Sequence, residues 1–378
     1  LAVAFVVILV SGSGTDTLTG RVGGDYPAFY TAGQIIADGQ AETLYSPHQQ
    51  RAYQKELVGA ETGVLLFAYP PHFALAYVPL SQLPFRLSYA LHTVAMVAAL
   101  ALACLLIQRI YPQLIESPYL LFSVAFTAYP IFRAVFGGQN TALTILLIVL
   151  CWYHVLHNKH YQAGIFLGLL LFKPQFALPL AGLFFLSGRW RVWLSAAATG
   201  IVLYGISSVV MGPAWIVDWL ELVKTFSAAD ARVNFAELVS WQGFAQAVLG
   251  PGNSIAVAVG WGLTAATILA ISWVWYAGGR NADFNAQMAL ASLCVVLIAP
   301  HTLYYDSGIL LIAVVVIMTK LGRLNANLIV AVWAAGLLQL LSPRLGVSLS
   351  FLPVVAILVA ALVYLWPSGV KNVAARSG

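Results

Sequence analysis

The stretch YALHTVAMVAALALACLLIQ at residues 89–108 decides the fold class of this chain. It contains no Lys, Arg, Asp or Glu, and a helix of about 20 apolar residues is long enough to cross the hydrocarbon core of a bilayer. Of the 378 residues, 61% are hydrophobic and only 8% are charged, whereas soluble domains carry about 25% charged residues. We therefore expect an all-α polytopic membrane protein built as a single integral domain over residues 1–378.

Other apolar blocks of similar length predict about twelve membrane-spanning helices in all. The predicted spans are residues 1–10, 89–108, 118–132, 139–157, 161–173, 175–188, 191–211, 255–277, 284–299, 304–319, 326–341 and 350–366. The first block is too short to cross, so we expect the chain to start part-way through its first helix. Lys173-Pro174 lies where 161–173 meets 175–188, which predicts two spans, one broken helix or a re-entrant pair.

The distribution of charge predicts the topology. The chain has a net charge of +5 and a pI of about 9.1. On one side of the predicted membrane, Lys and Arg are opposed only by Glu116 and Asp283. Basic loops of this kind lie in the cytoplasm, so the high pI is a topology signal that requires no nucleic-acid partner. Residues 11–88 and 212–254 then form the first and second non-cytoplasmic loops.

The first non-cytoplasmic loop contains a predicted helix that begins at Pro27. Proline suits the first helical position, where its missing N–H costs nothing, and this places Tyr26 at the cap. Asp38-Gly39 ends the helix. One face of this helix is predicted to be apolar and consists of Phe29, Ala32, Gly33 and Ile36. We expect the helix to lie in the membrane interface.

A second helix is predicted in the same loop by the sequence SPHQQRAYQKEL at residues 46–57. Ser46 stands at the cap, Pro47 at the first position and Gln49 at the third, which is a capping box. The tryptophans of the 212–254 loop suggest a second interfacial element there.

Asp25 is the first candidate for chemistry, in GGDYPAFYTAG at residues 23–33. An aspartate at this place caps a helix or is simply solvated in many proteins. An exposed carboxylate beside a membrane also serves as a general base where it reaches the proton that it removes. The residues alone leave both interpretations open.

His301 and Asp306 lie in APHTLYYD, where a predicted span emerges. A histidine at such a position commonly makes interfacial hydrogen bonds, and the tyrosines beside it, including Tyr305, fit an aromatic belt. Ionisable groups at membrane depth nevertheless favour a functional role.

Lys173 is the most costly residue of the sequence, because it interrupts apolar residues where a lysine costs about 2.5–3.5 kcal/mol on insertion. It either extends to the interface or lines a water-filled cavity over an anionic group. Arg133 and Gln139, in FRAVFGGQN, belong to a similar turn whose glycines allow close backbone approach.

Metal binding has little support, since the sequence contains neither a DxD pair nor HExxH. HVLHNKH at residues 154–160 has metal-like spacing, but it falls in a predicted cytoplasmic loop and is interpreted as solvated. Cys104, Cys151 and Cys294 lie inside apolar blocks, which is typical of small core residues. We expect neither a metal nor a cofactor.

Taken in order, the motifs resemble glycosyltransferase family 87. The matching positions are Asp25 with Tyr30, Ala32 and Gly33, then Gly39 and Leu44-Tyr45, YPP at 69–71, GGQN at 137–140, KPQ at 173–175 and PHTLYYD at 300–306. The resemblance covers nearly the whole chain. It implies a GT-C fold in a bacterial inner or plasma membrane, with the active site on the periplasmic or exterior face. It also implies inverting transfer of mannose from a polyprenyl-phosphate donor to a lipid or glycan acceptor.

The resemblance further implies that Asp25 is the general base and that His301 lies in the active site. The predicted substrate-binding residues are Tyr26, Tyr30, Tyr69, His72, Arg133, Gln139, Asn140, Lys173, Gln175, Tyr305 and Asp306. A polyprenyl phosphate leaves as a monophosphate, which Lys173, Arg133 and His301 are able to neutralise without a metal. Loops from five parts of the chain would then meet at one site.

Three other functions remain open at this point. A transporter or flippase of a lipid-linked or small polar substrate would predict inverted repeats with broken helices in both halves, and only 161–188 looks broken. A non-catalytic membrane subunit would keep the same scaffold. An enzyme that transfers another sugar, such as arabinofuranose or glucose, would use the same groups.

Overall fold

A computed structural model describes residues 24–58, 64–113, 117–322 and 326–366 of the chain. The predicted span at residues 1–10 and the first residues of the 11–88 loop lie outside this range. The described residues form helices, and their β-structure is limited to one isolated bridge between Leu238 and Leu303.

The helices are numbered in chain order. They are α1 (Tyr26–Ala37), α2 (Pro47–Val58), α3 (Pro71–Leu75), α4 (Val78–Ser81), α5 (Phe85–Ile110), α6 (Pro118–Thr127), α7 (Tyr129–Phe136), α8 (Thr141–Leu156), α9 (His160–Leu169), α10 (Pro174–Leu186), α11 (Trp190–Met211), α12 (Trp215–Val233), α13 (Trp241–Leu249), α14 (Ser254–Gly278), α15 (Phe284–Ile298), α16 (Leu311–Lys320), α17 (Ala326–Leu337), α18 (Ser342–Leu345) and α19 (Phe351–Tyr364). Short 3-10 turns occur at Ala41–Thr43, Leu170–Phe172, Phe235–Glu237, Tyr304–Leu310 and Leu338–Leu341.

Contacts within the chain define two compact units. Unit 1 consists of Leu1–Ala98, Arg133–Ala142 and Gly200–Ala228. Unit 2 consists of Ala99–Phe132, Leu143–Thr199 and Ala229–Gly378. The single integral domain expected from the sequence stays a prediction.

Among the residues that the structure describes, three helices are long and apolar enough to span a membrane: α5, α11 and α14. The pair α6–α7 makes a fourth if its two helices count as one span, although they are bent by 78° at the break between them. The six shorter apolar helices have 10–17 residues, which falls below the length that a straight crossing needs. The expected count of about twelve spans is therefore not confirmed, because breaks such as Lys173-Pro174 shorten the helices.

The surfaces of α11 and α14 nevertheless indicate contact with lipid. Ile201 and Val209 on α11 are 72% and 89% exposed, and Leu269 on α14 is 71% exposed. Apolar surface of this extent is unusual on a soluble protein and marks a membrane or protein contact. Small residues bring α9 close to α11, because a Cβ on Gly164 would lie 2.3 Å from the carbonyl oxygen of Val192.

Helix α1 forms the core of unit 1. Its residues Tyr26 and Ile35 are both 0% exposed, and Gly33 packs so closely that a Cβ would lie 2.6 Å from the carbonyl oxygen of Tyr77. On the predicted apolar face, Phe29, Ala32 and Gly33 are buried and Ile36 is half-buried. The helix is buried on most of its circumference, whereas an interfacial helix exposes its polar face. Helix α1 is buried because aromatic residues of other segments pack against it.

The predicted cap of α1 was wrong by one residue. Tyr26 is the first helical residue, and Asp25 takes the cap position without a capping hydrogen bond from its side chain. The end of the helix is confirmed, since Asp38 follows its last residue and Gly39 has a φ of +72°.

One half of the predicted capping box of α2 is present. The backbone N–H of Gln49 donates to Oγ of Ser46 over 3.3 Å. The side chain of Gln49 donates to Oε1 of Gln40 instead of returning to the cap. Further along α2, buried Gln54 both donates to the carbonyl of Leu65 and accepts from its N–H, so it holds the returning extended chain.

Candidate functional site

Two glycines allow the Asp25 segment to lie against the GGQN turn. Gly24 has a φ of +51°, and a Cβ there would lie 2.6 Å from the carbonyl oxygen of Gly137. The backbone N–H of Asp25 donates to that same oxygen over 2.8 Å. Only glycine combines this dihedral with this separation, so the sequence places glycine next to the aspartate.

The carboxylate of Asp25 accepts a short hydrogen bond from the side-chain amide of Gln139. These residues are 114 positions apart in the sequence. Because the Asp25 side chain makes no capping bond to α1, its orientation is set by a partner outside its own helix. The contact joins the Asp25 motif to the GGQN motif within unit 1.

The GGQN turn is itself held by the end of α7. The N–H of Gly137 donates to the carbonyl of Arg133 over 2.7 Å, and that of Gln139 donates to Ala134 over 2.8 Å. A Cβ on Gly137 would lie 2.9 Å from Nη1 of Arg133, so the guanidinium folds back over the glycine. Tyr89 donates from its hydroxyl to the carbonyl of Phe136 over 2.7 Å. Asn140, which follows in the motif, is fully buried.

Tyr26 and Tyr30 fasten α1 to the start of α5. Their hydroxyls bond to Oγ of Ser88 at 2.6 Å and to the carbonyl of Leu83 at 2.8 Å. Burial raises the pKa of Tyr26 to about 12, so the phenol stays protonated. Both tyrosines have packing roles in the structure, and the substrate contacts that the sequence suggested for them stay predictions.

Tyr69 and His72 lie where the chain returns toward α3. The carbonyl of Tyr69 accepts from the hydroxyl of Tyr45 at 2.9 Å. Both the backbone N–H and Nδ1 of His72 lie within hydrogen-bond distance of Oγ of Ser207, at 3.2 and 3.1 Å. Burial lowers the pKa of His72 from 6.5 to about 4, so its ring is neutral at physiological pH.

In unit 2, Lys173 forms a buried ion pair with Asp306. Nζ of Lys173 lies 2.7 Å from Oδ1 of Asp306, with side-chain exposures of 2% and 6%. Lys173 does not extend to the surface, which excludes the snorkelling interpretation. The pair joins the KPQ and PHTLYYD motifs, so these two predicted residues contact each other.

The turn that carries His301 is held on both sides by the end of the 212–254 loop. Oγ of Ser240 donates to the carbonyl of Pro300 at 3.0 Å, and the N–H of Val239 donates to that of Thr302 at 2.8 Å. His301 itself is half-buried. The backbone on either side of His301 is thus held by a loop that lies 60 positions earlier in the sequence.

The remaining predicted residues of unit 2 are Gln175 and Tyr305, both half-buried. The ring of Tyr305 lies 5.6 Å from that of Tyr304. The structure therefore brings the predicted residues together in two groups, one in each unit. The single site formed by all five motifs stays a prediction.

The described residues contain no group of three or more His, Cys, Asp or Glu side chains with the arrangement of a metal site. Within HVLHNKH, Nδ1 of His154 and Nδ1 of His157 each contact the backbone carbonyl four residues earlier. These contacts belong to the end of α8, whereas the sequence predicted a loop. The three cysteines are buried, as predicted.

Sequence reasoning missed several residues that position the site. Tyr89, Ser207 and Ser240 make the contacts described above, and none was predicted. Ser240 carried a usable signal, because it precedes α13 as a cap and accepts from the N–H of Gly243. Ser207 had none, since a serine inside an apolar helix does not indicate its partner.

Comparison with known proteins gives a family and one relative. The model of glycosyltransferase family 87 matches residues 67–300. The chain is 26% identical over 258 residues to the polyprenol-phosphate-mannose-dependent alpha-(1-2)-phosphatidylinositol pentamannoside mannosyltransferase of Mycolicibacterium smegmatis. The alignment covers 62% of this chain and 57% of that relative, so the chain spans little more than half of its length.

No solved structure matches the chain. The apolar helices and the family both indicate an integral membrane protein. Because the family model matches more than half of its residues, this chain belongs to glycosyltransferase family 87.

Proposed function

We propose that this chain is an inverting glycosyltransferase of the GT-C fold that moves a mannosyl group from a polyprenyl phosphate to a lipid or glycan hydroxyl. The reaction is placed at the non-cytoplasmic face of a bacterial inner or plasma membrane. Family membership supports glycosyl transfer, and the relative's dependence on polyprenol-phosphate mannose supports the donor. Mannose, the acceptor class and the side of the membrane are parts of the proposal.

The reaction needs one base and one stabilised leaving group. The acceptor oxygen attacks the anomeric carbon on the face opposite the phosphate, and its O–H proton passes to the carboxylate of Asp25. The bond between the anomeric carbon and the phosphate oxygen breaks, and its electron pair leaves with the polyprenyl monophosphate. The configuration at the anomeric carbon is inverted.

The contact between Asp25 and Gln139 is the observation that carries this proposal. A general base acts only when its carboxylate is held within reach of the proton. The amide of Gln139 donates to that carboxylate, and the Gly24–Gly137 contact sets the backbone beside it. The side chain of an aspartate that served only to cap α1 would accept a hydrogen bond from the first turn of that helix, and the side chain of Asp25 makes no such capping bond.

A separate part of the proposal assigns the leaving phosphate to Lys173 and His301. Lysine carries three N–H donors, and Asp306 accepts one of them. The ion pair holds the ammonium in a fixed position, which suits the stabilisation of a developing negative charge. Charge compensation by side chains gives this step a route that needs no metal.

The test of the base is Asp25→Asn, with Asp38→Asn as the matched control. Asp38 follows the same helix, is exposed, and accepts from the hydroxyl of Tyr53. Purified full-length protein is incubated with labelled polyprenyl-phosphate mannose and a membrane lipid extract, and the labelled product is identified. We expect Asp25→Asn to lower the rate about 10²–10⁴-fold, whereas Asp38→Asn stays near the wild-type rate.

Transfer near the wild-type rate by Asp25→Asn would remove Asp25 from the role of base. Movement of labelled donor across a vesicle membrane with no transfer product would instead favour the transporter alternative. Melting temperatures of both variants establish that a lost rate does not come from a lost fold.

A further inference from the structure

Arg189 is a buried cation in unit 2 that the proposed reaction does not use. It precedes α11 and is 8% exposed. Its guanidinium lies over two aromatic rings, 5.5 Å from the centroid of Trp275 and 4.6 Å from that of Phe284. Stacking on aromatic faces is favourable for arginine, and it leaves the N–H edge of the guanidinium for other partners.

Part of this N–H edge has no hydrogen-bond acceptor within the described part of the protein. Nη1 of Arg189 is buried and has no hydrogen-bond partner there, and the same is true of Nδ1 of His160. A buried donor without an acceptor is unfavourable, more so when it carries charge. Nη1 of Arg189 is a donor in any case, and Nδ1 of His160 is a donor when it carries the ring proton. A ligand that accepts hydrogen bonds would satisfy both nitrogens.

Two further arginines, Arg191 and Arg280, carry charges that affect the pKa values of this region. Arg191 and Arg280 are exposed. Burial, together with the smaller effect of the charge of Arg280, lowers the pKa of Arg189 to about 10. Burial is also the main reason for the lowered pKa of His160, followed by the charges of Arg191, Arg280 and Arg189. Oγ of Ser195 donates to the carbonyl of Tyr161 over 2.8 Å, which holds the start of α9 beside the start of α11. The ring of Trp275, which the guanidinium of Arg189 covers, precedes Arg280 by about one and a half helical turns. These contacts bring the three arginines and His160 into one basic cluster.

No carboxylate compensates this cluster among the residues that the structure describes. Ion pairs elsewhere in the described residues, such as Lys173–Asp306 and Lys320–Asp283, involve none of its members. Asp283 is the acid nearest to Arg280 in the sequence, but Oδ2 accepts from Lys320, and Oδ1 accepts from the backbone of Asn285 and Ala286. The positive charge of the cluster is thus left for an external anion.

Aromatic residues beside the cluster place it at a membrane surface. Trp190 is 49% exposed, and its ring packs against Phe185 at 4.6 Å and Trp193 at 6.3 Å. Tryptophan is enriched at the level of lipid headgroups. Basic pockets between membrane helices at that level bind anionic headgroups.

We propose that the cluster formed by Arg189, Arg191, Arg280 and His160 binds a phosphate group, supplied by an anionic lipid headgroup. The buried guanidinium of Arg189 and the ring of His160 donate to the phosphate oxygens, and the two exposed arginines attract it. The site lies in unit 2 and takes no part in the transfer of the sugar. It binds a lipid that stays unchanged.

The test uses the full-length protein in nanodiscs of phosphatidylglycerol or of zwitterionic phosphatidylcholine, with inorganic phosphate added to the second in a third arm. Retained lipid is measured by native mass spectrometry, and stability by the melting temperature. The variants are Arg191→Gln and Arg280→Gln, both at exposed positions that should not prevent folding. Arg109→Gln is the matched control, because Arg109 is also exposed and is not among the charges that act on His160.

We expect wild-type protein to retain phosphatidylglycerol and to bind it about fivefold more weakly for each arginine of the cluster that is removed. Arg109→Gln should bind like wild type. If inorganic phosphate alone raises the melting temperature of the wild type and not of the cluster variants, the cluster binds phosphate. That result would overturn the proposal that a lipid headgroup supplies the phosphate. Equal retention by wild type and both cluster variants, with no effect of phosphate, would overturn the proposal.

Discussion

Replacing Lys173 with methionine removes one half of a buried ion pair and leaves the other half inside the protein. Nζ of Lys173 lies 2.7 Å from Oδ1 of Asp306, and the side chains are 2% and 6% exposed. At this separation the attraction is about 6 kcal/mol for an effective dielectric constant of ~20, and the desolvation of both ions offsets much of it. We expect Lys173→Met to lower the free energy of unfolding by about 3–5 kcal/mol, because Asp306 then remains desolvated without its partner.

The double variant Lys173→Met/Asp306→Leu should recover most of that loss. Replacing both members of a buried pair by apolar side chains is often neutral or stabilising. The matched control is Lys320→Met, which breaks a pair of similar length, 2.6 Å, whose side chains are 34% and 28% exposed. Because that pair is solvated, its loss should cost about 0–1 kcal/mol.

Unfolding of the purified protein in detergent, followed by tryptophan fluorescence, measures these differences, and sugar transfer is assayed on the same samples. If the pair only holds two turns together, the double variant regains both stability and transfer. If Lys173 also stabilises the leaving phosphate, the double variant is stable but inactive. A single variant as stable as wild type, or a double variant no more stable than the single, would refute the reasoning.

Two further predictions concern unit 1. Gly24→Ala should destabilise the protein by about 1–3 kcal/mol through backbone strain. It should also reduce sugar transfer, because its Cβ would lie 2.6 Å from the carbonyl oxygen of Gly137. The control Gly39→Ala should leave transfer intact, because Gly39 also has a positive φ, +72°, but a Cβ there would meet no other atom within 4 Å. Equal transfer by both variants would contradict this. Burial lowers the pKa of His72 from 6.5 to about 4, so the unfolded chain takes up the proton first and the melting temperature should fall between pH 6.5 and 4. His72→Gln should weaken that fall, and an unchanged pH profile would argue against it.

The sequence predicted those features of the fold that depend on neighbouring residues. Asp38-Gly39 ended α1 where expected, because a turn with positive φ is a local property of glycine. The cap at Ser46 was also found. The error at Tyr26 came from assigning Pro27 to the first helical position, although proline is tolerated at the second as well.

Features that depend on distant partners were not predictable in this way. The burial of α1 follows from aromatic residues in other segments, such as Phe67, whose ring lies 6.1 Å from that of Phe29. Likewise, the sequence does not indicate that Trp275 and Phe284 cover the guanidinium of Arg189. The periodicity of apolar residues indicates which face of a helix is apolar, but it does not identify the residues that pack against that face.

Motif spacing identified Asp25, Gln139, Lys173 and Asp306 as separate candidates, and the structure resolves them into two pairs. Neither pairing follows from the sequence, since the partners are 114 and 133 positions apart. The resemblance to the family supplied the roles, whereas the hydrogen bonds show how two of these side chains are oriented.

The placement of the Asp25 carboxylate depends on three contacts made by the GGQN turn. These are the bond from its own N–H to Gly137, the close approach of Gly24, and the donor of Gln139. Gly24 and Gly137 contribute backbone atoms to this arrangement, and Gln139 contributes its side-chain amide. Loss of any one of these contacts displaces the carboxylate but leaves its charge in place. If Asp25 is the catalytic base, substitutions in the GGQN turn should therefore lower the rate of transfer, as substitution of Asp25 should.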